Sequence, residues 1–551
     1  MQKQKQKLDI SALKVILYGL ITGAVTGGVL SLFLVCARVL GSLAFGLYEQ
    51  ANAPLAVVCV LILSVLCCLL VAVIQKLVPG SKGSGIPLAE GAARGMLRVR
   101  WLANAAALIA GSLLAFICGM PLGSEGPSVA VGGLLGDGVG SVAKKPTEMR
   151  RHLITGGSCA GLAAAFNAPL TGLAFAFEET HRRFSPYILA VSFSAVISAV
   201  AVSQAAFFGF SHIEYLAALG IRAGAVPLSF LPQAAPVGLD ILWLSLAALA
   251  LGVLCAALGI GFNRAIVALS KLSGKIKSVT LRLLPAFILT AVFGLITAHA
   301  VGSGERTIEE LALGALPLVV LGVFAMRFVM TVVAGGVGAT GGLFLPMIAI
   351  GGLFGALAAS LLVTLGLDPK YAPNIVVLCI CAFFASTVRA PITAIIMSVE
   401  LTLTFVNLLP CAIAVAVAVV LTDITKTEPL YEQALENLVK NAPEPKTLGD
   451  ITVVGTVREG SKIAGKRIRN VMWAYNSLVI GLKRDGVVRV PDGETVLHVG
   501  DELTIRAENV DTDYFISNMR EYIDLTEPHI TAPPEPIPPR GYSATAKNKT
   551  H

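Results

Sequence analysis

Long apolar runs, broken by glycine and proline, dominate residues 1–440 of the chain. Several of these runs are long enough to cross about 30 Å of hydrocarbon as α-helices. Shorter apolar stretches indicate helices that end partway through a membrane. The pattern predicts an all-α polytopic membrane domain with broken helices. The long runs are 13–40, 53–76, 236–262, 283–301, 316–334 and 405–422, and the shorter ones are 84–98, 124–142, 169–180 and 390–402.

Composition and charge support a multi-pass membrane protein. Hydrophobic residues make up 55% of the 551 residues and charged residues only 14%, whereas soluble domains carry about a quarter charged residues. The net charge of +8 is spread along the chain, which is typical of positive-inside topology and not of a nucleic-acid-binding surface. Lys3, Lys5 and Lys7 precede the first apolar run. We therefore expect a cell-membrane protein with a cytoplasmic N-terminus, and no nucleic-acid partner.

A change of composition marks a second, soluble domain. Residues 441–447 have the composition of a linker, and charged residues become frequent after them. Residues 448–526 alternate short β-like runs with turns, which predicts a small cytosolic α+β domain. Within it we expect a helix that Ser461 caps and that runs to Trp473, and a second helix over 511–523. Residues 527–551 are rich in Pro, Lys and Thr, which predicts a disordered tail.

Two sequence blocks occur twice in the membrane domain. The block GSEGPSVAVGGLLG (123–136) matches GLFLPMIAIGGLFG (342–355), and FNAPLTGLAFAFEET (166–180) matches VRAPITAIIMSVELT (388–402). Their offsets are nearly equal, so the domain is predicted to consist of two related halves. Repeats of this kind surround a transport site near the bilayer midplane with broken helices.

Both copies of the first block predict a loop that enters the N-terminus of a helix. Such an N-terminus carries free N–H groups and partial positive charge, and therefore favours an anion when it is buried. The alternative is that the glycines only allow helices to pack closely. Glu125 lies inside the first copy, and a carboxylate within a membrane is costly and usually functional. The alternative is a purely structural role, in which Glu125 only stabilises the helix dipole.

The motifs Gly83–Pro87, Gly123–Pro127 and Gly341–Pro346 resemble the three anion-binding signatures of CLC chloride channels and transporters. The segments Ala163–Glu179 and Ala385–Glu400 are also similar to that family. The resemblance covers roughly 13–440. It implies two inverted halves and a homodimer with a separate pore in each subunit.

The resemblance also implies which residues bind chloride. They would be the hydroxyl of Ser84, the backbone at Gly126, the N–H groups of Leu343 and Phe344, and the hydroxyl of Tyr431. Several neutral donors can replace the water around chloride without binding it too tightly for fast turnover. No metal-ligand spacing occurs in the sequence, and we expect no cofactor and no enzymatic activity.

Two glutamates would carry the protons. Glu125 would compete with chloride as a tethered carboxylate, and would swing out when protonated. Glu179 stands where coupled exchangers of the family often hold a second, internal proton glutamate, although by itself it also fits a helix end that emerges into cytoplasm. The resemblance favours a chloride/proton antiporter. A passive chloride channel and a fluoride/proton antiporter of the same fold stay open, and Ser124 departs from the Arg or Lys that is usual beside the gating glutamate.

The predicted soluble domain resembles the C-terminal subdomain of RCK/TrkA potassium-transport regulators. The resemblance rests on 461–466, 490–497 and 500–503. Such subdomains dimerise and bind small ligands, in several relatives cyclic di-AMP, so the resemblance implies regulation by a cyclic dinucleotide. The alternative is an appendage that stabilises a dimer without any ligand.

Overall fold

The fold is taken from a computed structural model, which describes residues 10–50, 54–180, 186–214, 228, 231–236, 238–440, 448–471, 473, 477–526 and 529–531. The chain divides into two compact units, a helical one that ends near residue 441 and a smaller one that follows it. The predicted linker at 441–447 lies outside the described residues. So do 532–551 of the predicted tail.

The helical unit contains, in its described residues, two successive series of eight helices and one terminal helix. The first series is α1 (Ile10–Glu49), α2 (Pro54–Leu77), α3 (Ile86–Ala93), α4 (Trp101–Ile117), α5 (Glu125–Val142), α6 (Thr147–Phe166), α7 (Pro169–Phe175) and α8 (Pro186–Ser211). The second is α9 (Asp240–Ser273), α10 (Val279–Ile296), α11 (Glu305–Leu311), α12 (Pro317–Val337), α13 (Phe344–Thr364), α14 (Ala372–Val388), α15 (Pro391–Thr402) and α16 (Leu408–Ile424), and α17 (Leu430–Lys440) follows.

The two series correspond helix by helix. In each, a long first helix packs against the eighth, so that α1 contacts α8 and α9 contacts α16. In each, the third helix is a short one of two turns, α3 and α11. Eight helical segments of the described residues are long and apolar enough to cross a membrane. The predicted repeat and the predicted broken helices are therefore confirmed.

The core of the helical unit is centred on α14. Every residue from Pro373 to Val388 is buried, because α14 is apolar on all sides and packs between α9, α13 and α16. Glycines bring other helices into backbone contact. A Cβ on Gly132 of α5 would lie 2.2 Å from the carbonyl oxygen of Gly157 in α6. Close packing therefore explains the glycines inside α5, and it also applies to Gly123 before the helix, where a Cβ would lie 2.9 Å from Cβ of Leu345.

The C-terminal unit is built on one antiparallel sheet. Its strands are β1 (Leu448–Val457), β2 (Ser477–Arg484), β3 (Val487–Arg489), β4 (Glu502–Asp511), β5 (Ile523–Leu525) and β6 (His529–Thr531). The order is β3-β2-β4-β1-β5, and β6 pairs with β1. A short helix, α18 (Thr512–Met519), covers the core. Asp485 and Gly486 have positive φ, as a tight hairpin between β2 and β3 requires.

The predicted helix from Ser461 to Trp473 is wrong. The described part of that segment forms turns and one 3-10 turn at Ile468–Asn470. Gly465 adopts a left-handed conformation and its N–H donates to the carbonyl of Leu497 at 2.7 Å. The Ser461 hydroxyl donates to the carbonyl of Tyr522 at 2.6 Å instead of capping a helix. Hydrogen bonds to distant segments therefore override the local capping signal.

Asp501 fixes the turn that leads into β4. Its carboxylate accepts two hydrogen bonds from the guanidinium of Arg484, both 2.7 Å long, and one of 2.7 Å from the N–H of His498. Burial alone would raise the pKa of Asp501, but the hydrogen bonds from Arg484 and His498 outweigh burial and hold that pKa below its usual range. The ionised carboxylate is therefore part of the folded structure of this unit.

Candidate anion and proton pathway

Backbone hydrogen bonds join the three glycine-rich motifs. Gly123 and Gly342 form an isolated antiparallel bridge in which each N–H donates to the other's carbonyl at 2.8 Å. Gly83 donates to the carbonyl of Gly338 at 3.3 Å and accepts from the N–H of Gly341 at 3.2 Å. Segments that lie more than two hundred residues apart in sequence thus meet at one place, where the two halves face each other.

The space between these segments admits no side chain at Gly126. A Cβ at this position would lie 2.7 Å from Cα of Gly342 and 3.0 Å from the carbonyl oxygen of Ser84, which is closer than unstrained contacts allow. Ser84 itself is buried. The predicted chloride-site residues Ser84 and Gly126 are therefore neighbours. Position 126 requires a glycine, because no larger residue fits between Ser84 and Gly342.

Three helices begin at this place. α5 starts at Glu125 and α13 starts at Phe344, and neither helix has a side-chain cap. α3 starts two residues after Ser84. The first N–H groups of an α-helix have no partner within the helix, and the helix dipole adds partial positive charge there. The site thus combines neutral N–H donors with positive potential, which is suited to an anion.

Glu125 occupies the first position of α5 and is only 2% exposed. Its Oε1 accepts a hydrogen bond from the hydroxyl of Ser124 at 3.0 Å. Its Oε2 is buried and, among the residues that the structure describes, has no hydrogen-bond partner. Ser124 thus contacts the glutamate directly, in the place where the family usually carries a basic residue. A buried carboxylate with one unsatisfied oxygen is costly unless it binds a proton or moves.

Aromatic rings line the other side of the site. The ring of Phe344 lies 5.0 Å from that of Phe166 and 4.5 Å from that of Phe384, measured between centroids. Phe175 links this group to Tyr431, with its ring 6.5 Å from the tyrosine ring. Tyr431 is 1% exposed, and its hydroxyl has no hydrogen-bond partner within the described part of the chain. A buried hydroxyl without a protein partner is suited to a ligand that accepts a hydrogen bond.

Glu179 also lies in the interior, with 1% of its surface exposed. It belongs to a π-helical turn, Ala176–Thr180, that continues α7, and π-turns occur frequently at functional sites. Tyr431 interacts electrostatically with both Glu179 and Glu125, so its ring lies within range of the two carboxylates. Such burial does not fit a helix end that emerges into solvent.

Glu178 and Glu400 form a reciprocal pair of helix caps, a role that was not predicted from the sequence. Glu178, which follows α7, accepts hydrogen bonds from the N–H groups of Ile392 and Thr393 and from the Thr393 hydroxyl, at 2.7–2.8 Å. Glu400, in α15, accepts the equivalent three from Leu170 and Thr171 at 2.6–2.8 Å. Each glutamate thus caps the helix of the other half. The sequence signal for this pair is that Glu178 and Glu400 occupy equivalent positions of the repeat, at the offset of 222 residues.

Comparisons with known proteins agree with this arrangement. A family model described as voltage gated chloride channel matches residues 66–423, and a TrkA-C domain model matches residues 455–520. The helical unit with its three motifs defines a CLC-type membrane transport protein. The chain belongs to the voltage gated chloride channel family, and it carries a C-terminal TrkA-C domain.

Individual relatives and solved structures are similar to this chain over most of their length. The H(+)/Cl(-) exchange transporter ClcA of Vibrio parahaemolyticus serotype O3:K6 is 34% identical over 405 residues, which are 70% of this chain and 81% of the relative. The protein of the same name from Salmonella paratyphi A is 33% identical over 375 residues, 66% and 75% of the two chains. A crystal structure of a slow cyanobacterial Cl-/H+ antiporter superposes with a TM-score of 0.69 at 26% identity, covering 78% of this chain and 99% of that one. A CLC-type fluoride/proton antiporter shares the fold, with a TM-score of 0.57 at 18% identity over 75% and 97% of the two chains.

Proposed function

We propose that this protein exchanges chloride for protons across a membrane. The observation that carries the proposal is the burial of Glu125 at the start of α5, beside the place where the three glycine-rich motifs meet. Only a carboxylate that can take up a proton or leave its position fits a site that otherwise favours a chloride ion. The relatives named as H(+)/Cl(-) exchange transporters support the same activity.

Chloride is bound, in this proposal, by neutral donors only. The hydroxyl of Ser84, the backbone at Gly126 and the N–H groups of Leu343 and Phe344 surround the anion. The hydroxyl of Tyr431 completes the site, and the absence of a hydrogen-bond partner for it among the described residues supports this role. Neutral donors hold the ion less tightly than a lysine or arginine would, so that it can leave at the rate that transport needs.

Protons pass, in this proposal, by way of Glu125 and Glu179. When it is ionised, Glu125 competes with chloride for the N–H groups, and when it is protonated it releases them. Glu179 exchanges the proton with the other side of the membrane. The burial of both side chains and their shared neighbour Tyr431 support a path through the interior of the subunit.

Glu125→Gln tests the proposal. Chloride flux and pH are recorded together in proteoliposomes under a chloride gradient. We expect the variant to conduct chloride passively and to move no protons against their gradient. Glu309→Gln, which changes an exposed glutamate of α11, is the control and should retain coupled exchange. Proton pumping by Glu125→Gln would contradict the assignment.

A passive chloride channel of the same family is the second candidate. The burial of Glu179 favours the exchanger, because a channel has no need for a second buried carboxylate. The reversal potential under combined chloride and proton gradients separates the two: a reversal that follows chloride alone rejects coupling. A fluoride/proton antiporter is tested by flux competition between fluoride and chloride, and the serine at Ser84 favours chloride.

A homodimer is part of the proposal. The apolar side chains that α7, α8, α15 and α16 leave exposed support an intersubunit or lipid contact on this side of the molecule. They are Leu170, Phe193, Ile197, Ile392, Leu408 and Leu409. Chemical crosslinking in proteoliposomes should give a dimer band, and its absence at all crosslinker concentrations would reject this part.

We also propose that the unit at 448–526 is cytoplasmic and regulates exchange by binding a cyclic dinucleotide such as cyclic di-AMP. The match to a TrkA-C domain supports a regulatory role, and the N-terminal lysines support the orientation. The proposed division is a transport domain over 1–440, a linker over 441–447 and a tail over 527–551, although residues 529–531 of that tail add strand β6 to the sheet. Cyclic di-AMP is added to either side of the membrane while chloride flux is measured. A flux that does not change would contradict regulation by this ligand and leave the unit with a structural role.

A further inference from the structure

Lys82 directly precedes the Gly83–Pro87 motif, and Arg282 belongs to α10. The two basic side chains lie near each other and form a pair. A series of contacts places them together. The alkyl chain of Lys82 lies along Gly338, since a Cβ at that glycine would be 2.4 Å from its Cε. The amide of Gln75 donates to the carbonyl of Gly338 at 2.9 Å and accepts from Nη2 of Arg282 at 3.1 Å. The two cations also interact electrostatically with each other.

Buried neutral groups hold this arrangement in place. Gln75 is 4% exposed, and its amide nitrogen donates a second hydrogen bond to the hydroxyl of Thr340 at 3.1 Å. That hydroxyl donates in turn to the carbonyl of Ser81 at 2.9 Å. Both oxygen and nitrogen of the Gln75 amide are therefore committed, and the oxygen holds Nη2 of Arg282 beside the Gly338 loop. The orientation of the pair is thus determined by the same loops that form the anion site.

No counter-ion for the two cations lies among the residues that the structure describes. In the described parts of the chain no carboxylate pairs with either side chain, and Nε of Arg282 is buried without an acceptor. Like charges held close together repel each other, and an unsatisfied charged N–H inside a protein is costly. An anion between the two side chains removes both costs at once. Since no described side chain supplies that anion, the geometry points to an anion from solution.

We propose that Lys82 and Arg282 bind the transported anion before it reaches Ser84, as a recruiting site at the mouth of the pathway on the side where α2 ends. This inference rests on the proposed chloride transport. Lys82 is one residue from Gly83, whose backbone is bonded to Gly338 and Gly341 in the loop that leads into α13. Lys82 is partly exposed, so that an anion from solution can reach it. The pair lies outside the neutral site and therefore raises the local anion concentration without slowing release from the site itself.

The test is the chloride dependence of transport current in planar bilayers, with chloride varied in one bath at a time. We expect Lys82→Gln to raise the KM for chloride about three- to tenfold on one side only, with the current at saturating chloride and the chloride-to-proton ratio unchanged. Lys82→Arg should behave as the wild type. The matched control is Lys76→Gln, which removes an exposed charge from the same end of α2. Equal KM values in Lys82→Gln and wild type would overturn the proposal, and so would an equal shift in Lys76→Gln.

A second measurement does not depend on transport. Crystals of the full chain grown in bromide should show an anomalous peak between Lys82 and Arg282, and Lys82→Gln should lose that peak while keeping any peak at Ser84. A peak at Ser84 with none at the basic pair would overturn the recruiting site and leave the proposed function standing. If the wild type carries no coupled current, the proposed exchange fails, and the bromide peak still decides whether the pair binds anions.

Discussion

The reciprocal caps of α7 and α15 give a prediction whose size follows from the structure. Glu400→Gln keeps the shape of the side chain but replaces one oxygen with an NH2 group, which cannot accept from Leu170 or Thr171. At least one of the three hydrogen bonds is therefore lost, and the others become neutral. A hydrogen bond to a charged group contributes about 1.5–3 kcal/mol, and a negative charge at a helix N-terminus contributes about 0.3–1 kcal/mol more. We expect a loss of about 2–4 kcal/mol.

The assay is the apparent Tm of the purified protein in detergent. Thr171→Val is the graded control, because it removes only the hydroxyl that donates to Glu400 at 2.6 Å and keeps the carboxylate and both N–H bonds. Its cost should be about 1.5 kcal/mol, the low end for one hydrogen bond to a charged group, so its Tm should fall between those of Glu400→Gln and the wild type. A Tm of Glu400→Gln equal to that of the wild type would refute the hydrogen-bond reasoning.

The equivalent change in the other half adds a functional test. Glu178→Gln removes the same kind of cap from α15 and should cost about the same stability. Glu179 follows Glu178 directly in the π-helical turn, whereas Glu400 lies in α15, away from that turn. We therefore expect the chloride-to-proton ratio to change in Glu178→Gln and to stay at the wild-type value in Glu400→Gln. Equal ratios in both variants would show that the cap does not position Glu179.

Three further outcomes are expected. Glu179→Gln should impair proton coupling in reconstituted vesicles while chloride binding, measured by calorimetry, is retained. Gly126→Ala should lower chloride flux more than tenfold and cost about 1–3 kcal/mol, because its Cβ would lie 2.7 Å from Cα of Gly342. In the C-terminal unit the pKa of Asp501 is lowered, so the ionised form stabilises the fold above pH of about 4, and this stability is lost as the pH falls below that value. Asp501→Asn should therefore be proteolysed faster than wild type at pH 7, through loss of its charged contacts with Arg484, and the difference should shrink toward pH 3.

The paired contacts could be predicted from sequence because a two-fold relation brings equivalent residues together near its axis. Gly123 and Gly342 are equivalent at one offset and bond to each other, and Glu178 and Glu400 are equivalent at the other and each caps a helix of the opposite half. The proximity of Lys82 and Arg282 has no such signal. The two residues are not equivalent in the repeat, and Gln75 of α2 and Gly338 lie between them.

Local signals failed where tertiary hydrogen bonds decided the conformation. A serine before a periodic segment is a common helix start, yet Ser461 donates to a carbonyl about sixty residues away. The left-handed conformation of Gly465 ends any helix at that point. The partners that decide its conformation, Tyr522 for Ser461 and Leu497 for Gly465, lie far from this segment in the sequence. The observed conformation of this segment could therefore not be predicted from the local pattern. The hairpin at Asp485, by contrast, is encoded by its own residues.

The equivalence of Glu125 and Phe344 explains how a symmetric scaffold can carry an asymmetric reaction. The alignment of the repeats that places Gly123 on Gly342 makes Phe344 the counterpart of Glu125, and each begins its helix at the same site. The phenylalanine is packed among other rings and has no charge to release. In the proposed exchange, one half thus provides a movable carboxylate and the other a fixed wall with N–H donors. A glutamate in both halves would place two negative charges against one anion site, and mutual repulsion would keep one of them protonated. A single carboxylate whose neighbour is the neutral hydroxyl of Ser124 can change its charge with each proton, which is what coupling one anion pathway to proton movement requires.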